Sequence, residues 1–151
     1  MNLILTQIEA ETFLSCSKYY YGSKKYEFPN IGDVLKIPLH SEDKQTEFIL
    51  DISRGFFRFN KFTYQNRVFK NIILLRLDIN GPPHRNPDGK IIDSSHLHIY
   101  REGYDDKWAY SLPDKFKNCK TSFQLLEEFM DYCHIVNKPM IENSTLSEIL
   151  L

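Results

Sequence analysis

The sequence predicts an α+β fold. A single domain would hold an antiparallel meander sheet of about five strands, with an N-terminal and a C-terminal helix packed on one face. Three observations predict it. Helical patterning is confined to the two ends, whereas period-two alternation of apolar residues recurs between residues 33 and 101. Aromatic residues make up 14% of the 151 positions, with eleven Phe and nine Tyr, a load that favours strands. The order helix, strands, helix belongs to sheets with segregated helices, and the length suits one domain with its own core.

Thr6-Gln7-Ile8-Glu9 reads as a capping box, in which hydroxyl and carboxylate satisfy orphan amides at a helix start. A loose apolar stripe through Ile8, Phe13 and Leu14 extends this helix over about 7–19. Residues 20–32 form a connector closed by the turn cluster Phe28-Pro29-Asn30-Ile31-Gly32. Strands are expected over 33–39 and 46–53, with Pro38 marking an edge or a strand end. A long third strand covers about 56–67. The fourth, over 70–79, carries Ile73, Leu75, Leu77 and Ile79 on one face and Ile72, Leu74, Arg76 and Asp78 on the other. The fifth, over 95–101, sets Leu97 and Ile99 against His96, His98 and Tyr100.

A short strand or turn around 108–110 and a Pro/Lys loop come next. Thr121-Ser122-Phe123-Gln124 is a second capping box, opening an amphipathic helix through Phe123, Leu126, Phe129 and Met130 to about Cys133. Residues 144–151 can form a short terminal helix.

The N-terminus lacks a basic, apolar leader, and no run approaches the ~20 apolar residues that cross a bilayer, so a cytoplasmic protein without a membrane partner is expected. Three scattered cysteines read as free thiols in a reducing compartment. Cys133 and His134 are adjacent, and on a helix they point apart, which argues against a nucleophilic dyad. Net charge is −1, yet no acidic residue lies between Asp51 and Asp78. That interval holds Arg54, Arg58, Lys61, Arg67, Lys70 and Arg76, interleaved with Phe56, Phe57, Phe59, Phe62, Tyr64 and Phe69. Cations alternating with aromatics suggest a nucleic-acid surface, with Trp108 and neighbouring Tyr residues available to stack on bases. The plainer alternative is that the aromatics are core and the arginines a solvated face.

If the fourth and fifth strands pair antiparallel, Arg76, Asp78, His96, His98 and Tyr100 line one surface. Lys61, Thr63 and Gln65 share a parity that lets them join, and His84 can fold over from a loop stiffened by Pro82-Pro83. Histidines beside Arg and Lys are what phosphodiester cleavage needs: one imidazole takes a 2′-hydroxyl proton, another protonates the leaving oxygen, and a cation stabilises the phosphorane. The expected catalytic set is His84, His96, His98, Arg76 and Lys61, with no metal or other cofactor. Arg54, Arg58, Tyr64, Arg67, Asp78, Tyr100, Arg101 and Trp108 are the expected binding residues. A metal held by His96, His98, His84 and Asp78 is the competing arrangement, opposed by the charges of Arg76 and Arg101. Surface histidines paired to Asp78 and Tyr100 are the non-functional one. Asn86-Pro87-Asp88-Gly89 looks like a fragment of a calcium loop but lacks its remaining ligands, and reads as a tight turn.

The segment from Leu74-Leu75-Arg76-Leu77-Asp78-Ile79-Asn80-Gly81-Pro82-Pro83-His84 through Asn86-Pro87-Asp88-Gly89 to His96-Leu97-His98-Ile99-Tyr100-Arg101-Glu102-Gly103-Tyr104 and Asp106-Lys107-Trp108-Ala109 resembles a family of small bacterial and phage proteins. The likeness covers nearly the whole chain, and that family has no activity to carry over. More distantly, an arginine-bearing strand, a strand-loop-strand and a late His-x-His resemble the TumE-type toxins of toxin–antitoxin pairs. That resemblance implies a toxin directed at nucleic acid, RNA before DNA, and neutralised by a partner protein. Mobile-element context equally implies a non-catalytic interaction protein, a phage inhibitor of a host defence complex or a nucleic-acid-binding module.

Overall fold

A computed structural model of the chain describes residues 4–142 and residue 151. In chain order it contains α1 (Gln7–Ser15), β1 (Lys18–Tyr19), β2 (Tyr26–Glu27), β3 (Val34–His40), β4 (Glu47–Arg54), β5 (Phe62–Val68), β6 (Ile72–Ile79), β7 (His84–Arg85) and β8 (Ile91–Ile92). These are followed by β9 (His96–Ile99), β10 (Ala109–Ser111), α2 (Asp114–Lys117), α3 (Ser122–Tyr132), β11 (Ile135–Asn137) and β12 (Ile141–Glu142). Eight strands form one sheet in the order β10-β9-β6-β5-β4-β3-β1-β11, antiparallel throughout except for the parallel pair β1 and β11. β7 and β8 make a separate antiparallel hairpin, and β2 pairs in parallel with β12.

This overturns the expected architecture. The protein is mostly sheet, and its large sheet has eight strands and is mixed, where a five-stranded antiparallel meander with flanking helices was expected. β10 falls on the short strand or turn expected around 108–110. The extra strands β1 and β11 are two and three residues long, too short to show alternation. Long-range pairing defines them: Lys18 faces Ile135 across more than a hundred residues of chain.

Local signals explain the remaining boundaries. Thr6 and Glu9 form the reciprocal capping box at the start of α1. The helix nevertheless ends at Ser15, because Cys16 is extended and the chain turns into β1. Thr121 accepts from the Gln124 amide at the start of α3, while the Gln124 side chain accepts from the Lys120 amide. Of the long third strand, only 62–68 is strand, and 55–61 is a loop. The terminal helix expected over 144–151 falls on residues 143–150, outside the described residues.

The meander strands pair so that Leu35, Ile37 and Leu39, then Phe48, Leu50 and Ile52, then Phe62, Tyr64 and Val68 share a face with Leu77 and Leu97. That face is the core. Phe13 of α1 meets Phe48 edge-on, with ring centroids 6.1 Å apart, and Phe129 of α3 packs on Tyr64 at 6.1 Å. Between β5 and β6 the register shifts by one: Arg67 faces Ile73, but Asn66 faces Leu75, leaving Leu74 as the extra residue of a bulge. Ile72, opposite Val68, therefore packs against the core while Ile73 stands opposite Arg67, the reverse of uninterrupted alternation.

One charge lies inside this framework. Lys18 is completely buried on β1, and its ammonium donates to the carbonyl oxygens of Leu14 (3.3 Å), Cys16 (3.1 Å) and Cys133 (2.8 Å). It thus serves the C-terminal ends of α1 and α3 together, where orphan carbonyls and the helix dipoles favour a cation. The aliphatic stem ends over the Phe48 ring, with Nζ 4.9 Å from its centroid. Burial pulls the Lys18 pKa below its ordinary value, against the smaller opposing influence of Cys133 and Cys16.

Lys18→Met keeps the stem but removes the donor shared by the two helix ends. Urea denaturation should show a loss of about 2 kcal/mol, the scale of hydrogen bonds to a charged group. Unchanged stability would mean that the ammonium is not what joins them.

Candidate active site

The face of the sheet opposite the core carries the polar residues. Arg76 faces His98 and Asp78 faces His96 across β6 and β9, while Thr63 of β5 faces Asp78 from the other side. Asp78 is the meeting point. Its Oδ2 lies 3.3 Å from His96 Nε2, 3.2 Å from His98 Nε2 and 3.3 Å from Arg76 Nε, and its Oδ1 accepts from the Thr63 hydroxyl at 3.1 Å. Arg76 reaches further, to Asp106 at 2.6 Å and to His98 Nε2 at 3.0 Å.

Backbone carbonyls set the rings. His96 Nδ1 lies 2.6 Å from the Asp93 oxygen and His98 Nδ1 lies 2.7 Å from the Asp106 oxygen, so each Nδ1 carries a proton. His98 Nε2 stands between the Arg76 guanidinium at 3.0 Å, which can only donate, and Asp78 Oδ2 at 3.2 Å, which can only accept when ionised. His96 has a carboxylate at Nε2 as well as a carbonyl at Nδ1, the surroundings of an imidazolium. Burial disfavours its charged form, but the hydrogen bond to Asp78 and the Asp93 carbonyl outweigh burial and raise its pKa. Burial likewise works against an ionised Asp78. Its two imidazole neighbours and the Arg76 charge overcome that and hold the carboxyl far below the usual range.

The third imidazole comes from the β7–β8 hairpin. Gly89, with φ +88°, closes the Asn86–Gly89 turn, and the Asn86 amide clasps Ala109 of β10, donating to its oxygen at 2.9 Å and accepting from its nitrogen at 2.8 Å. This fastening lays His84 over the cluster, its ring centroid 4.6 Å from that of His98 and 5.6 Å from that of His96. His84 Nε2 donates to the Lys107 oxygen at 2.7 Å, which leaves Nδ1 as the lone-pair nitrogen of the neutral ring. Under the hairpin lies a cavity of about 390 Å³ lined by Lys61, Thr63, Arg76, Asp78, His84 and His96. The Lys61 stem passes beside Gly55, where an added Cβ would come within 2.9 Å of Lys61 Cδ. A second cavity, of about 410 Å³, lies on the helical side and is lined by Leu14, Leu75, Ile99, Glu128, Asp131 and His134.

Asp78, His96 and His98 place one ligand atom each within 4.8 Å of one another, close enough to share a cation. Arg76 stands in the way, because it donates to the same His98 nitrogen and to Asp78, and puts its own positive charge where a dication would sit. What the structure shows is a hydrogen-bonded set.

The structure thus brings together Arg76, Asp78, His84, His96, His98 and Lys61. The other expected binding residues are used elsewhere. Tyr64 is core, its hydroxyl donating to the Ser122 oxygen. Arg54 is buried and tied to the carbonyls of Pro29 and Phe59. Arg67 grips Asp51 through two nitrogens at 2.6 and 2.8 Å. Arg58 holds the Asn80 oxygen. Tyr100 is not on the polar surface: it is buried, and its hydroxyl engages the backbone of Leu5. The Arg101 guanidinium covers the Trp108 ring at 4.5 Å, and Tyr104 meets that ring edge-on. Sequence reasoning assigned no role to Asp106, the second carboxylate on Arg76, or to Asn86, the clasp of the hairpin. Both lie within the quoted motif, which was the only signal for them.

Fold and site together define a class: a mostly-sheet protein with a histidine–arginine–carboxylate cluster sunk between its polar face and a short hairpin. The chain belongs to a family described as a family of unknown function, DUF6978, whose model matches residues 5–135 and so includes every residue of the cluster. No curated protein and no solved structure matches the chain. Among the described residues no helix is long and apolar enough to cross a membrane.

The titrations pull stability in opposite directions. His96 is raised above its ordinary 6.5, so the folded state holds the extra proton, and its contribution is full below that value and lost as pH rises through the folded pKa. Asp78 is depressed below 3.8, so its contribution is full above that value and lost in acid. The unsubstituted protein should lose urea stability as pH rises above 6.5 through the folded His96 pKa, and His96→Gln should flatten that decline. Equal declines in both proteins would dissociate His96 from Asp78.

Proposed function

We propose that the chain is a toxin-like, metal-independent ribonuclease whose reaction centre is the cavity under the His84 hairpin. The observation that carries this reading is a pair of imidazoles with unlike hydrogen-bond partners at one cavity. His84 offers a bare Nδ1 and His96 an Nε2–H, with Arg76 and Lys61 beside them. Unlike surroundings suit two titratable groups to act as base and acid.

The chemistry follows from those roles. His84 Nδ1 takes the proton of a ribose 2′-hydroxyl, and the freed oxygen attacks the adjacent phosphorus. Arg76 and Lys61 neutralise the charge that grows on the non-bridging oxygens. The bond from phosphorus to the 5′ oxygen breaks, and His96 protonates that oxygen. The products are a 2′,3′-cyclic phosphate and a 5′-hydroxyl end. Asp78, 3.3 Å from His96 Nε2, favours the protonated ring and so supplies the acid with its proton. His98, almost wholly buried and outside the cavity lining, acts through Arg76. The resemblance to TumE-type toxins supports a cellular RNA target and a neutralising protein partner.

Purified protein should cleave RNA in EDTA to fragments with those two ends. His84→Ala and His96→Ala should each slow cleavage by about 10²–10⁴-fold, the usual worth of a general acid or base. RNA left intact at high protein concentration, or cleavage indifferent to both substitutions, would remove the proposal. Cleavage that appears only with added divalent metal would replace it with a metal-dependent one.

A further inference from the structure

We infer that the loop 55–61 is a stacking platform for the unpaired bases of a single-stranded RNA, one phosphate of which enters the adjoining cavity. The inference rests on the ribonuclease reading for the identity of that cavity. Its own evidence is the loop. Phe56, Phe57 and Phe59 are 76%, 100% and 62% exposed, three aromatic rings turned to water within four residues. Apolar side chains scattered singly on a surface need no explanation, but a contiguous group marks a binding site.

The loop is braced. Arg54 donates to the Phe59 oxygen at 2.9 Å and to the Pro29 oxygen at 3.2 Å, and Arg58 donates to the Asn80 oxygen at 3.1 Å. The Asn80 side chain returns a bond to the Asn60 oxygen at 2.8 Å, and the Gly55 amide bonds the Lys61 oxygen at 3.2 Å. The Phe56 ring rests on Gly32, where a Cβ would come within 2.6 Å of the ring; with φ +82° this position suits glycine twice over. A backbone braced in this way leaves less to order when the rings engage a ligand.

Chemistry selects the occupant. The platform ends at Lys61, which lines the cavity with Arg76 and His84, so flat apolar surface runs directly into a cationic pocket. A single strand has the matching pattern, a π face on every base and an anion between successive bases. A duplex hides its π faces. A purely apolar protein segment would bring no counter-charge to Lys61, for which no ion pair is found among the described residues.

The test uses a dye-labelled, 2′-O-methyl oligonucleotide of about ten nucleotides, within the span of one such site. The 2′-O-methyl group prevents cleavage, so binding is read apart from turnover. By fluorescence anisotropy the strand should bind better than its duplex. Phe57→Ser and Phe59→Ser should each weaken single-strand binding by at least about fivefold, and Phe57→Trp should retain it. Thermal unfolding of the variants reports whether the fold is intact. Folded variants that bind the strand as tightly as before, or equal affinity for duplex, would overturn the inference. So would loss of binding to anionic vesicles with oligonucleotide binding unchanged, which would assign the loop to a membrane surface. Phenylalanine-dependent binding with intact RNA in the cleavage assay would keep the platform and retire the ribonuclease.

Discussion

Leu74 has no partner in β5, since Arg67 faces Ile73 and Asn66 faces Leu75. That one extra residue sets which face each half of β6 presents. Carried on from Ile72 and Ile73 without it, the register would turn Arg76 and Asp78 into the core and Leu75 and Leu77 to the opposite face. With the bulge, β6 begins the hairpin with Ile72 on the core side and still delivers Arg76 and Asp78 to the histidines of β9. A strand that must be apolar at both ends and chemically armed on one face achieves both by changing phase once.

The molecule also places charge where water is scarce in two contrasting ways. Lys18 has three carbonyl oxygens and no carboxylate, so its charge is stabilised by dipoles already fixed by two helix ends. Asp78 sits among ionisable neighbours, where one proton decides which nitrogen donates and which accepts. The first arrangement is static and suits a structural joint. The second changes state with a single proton, which is what acid–base chemistry requires.

Legibility followed the range of the interactions. Strands β3, β4 and β6 were readable because seven or eight residues carry enough alternation to reveal a face. From that alternation Arg76, Asp78, His96 and His98 emerge as neighbours. The bulge at Leu74 was hidden, because a run of Ile72, Ile73, Leu74 and Leu75 is apolar in any phase. Lys18 was read as the last turn of a helix, since its partners at Leu14, Cys16 and Cys133 meet only in the folded chain. The arginines between Asp51 and Asp78 looked like a basic surface. Composition does not tell a solvated guanidinium from one, like that of Arg54 or Arg67, already committed to a carbonyl or a carboxylate.

The clasp between Asn86 and Ala109 has a consequence beyond the position of His84. β10 is the last strand at its end of the sheet, and the edge of such a strand is an invitation to other chains. At Ala109 the Asn86 amide takes both outward-facing backbone groups, one donor and one acceptor, as a further strand would. A side chain thus stands in for a neighbour that never comes. The protein caps this position of its border with a single residue, the same one that fixes the hairpin carrying His84.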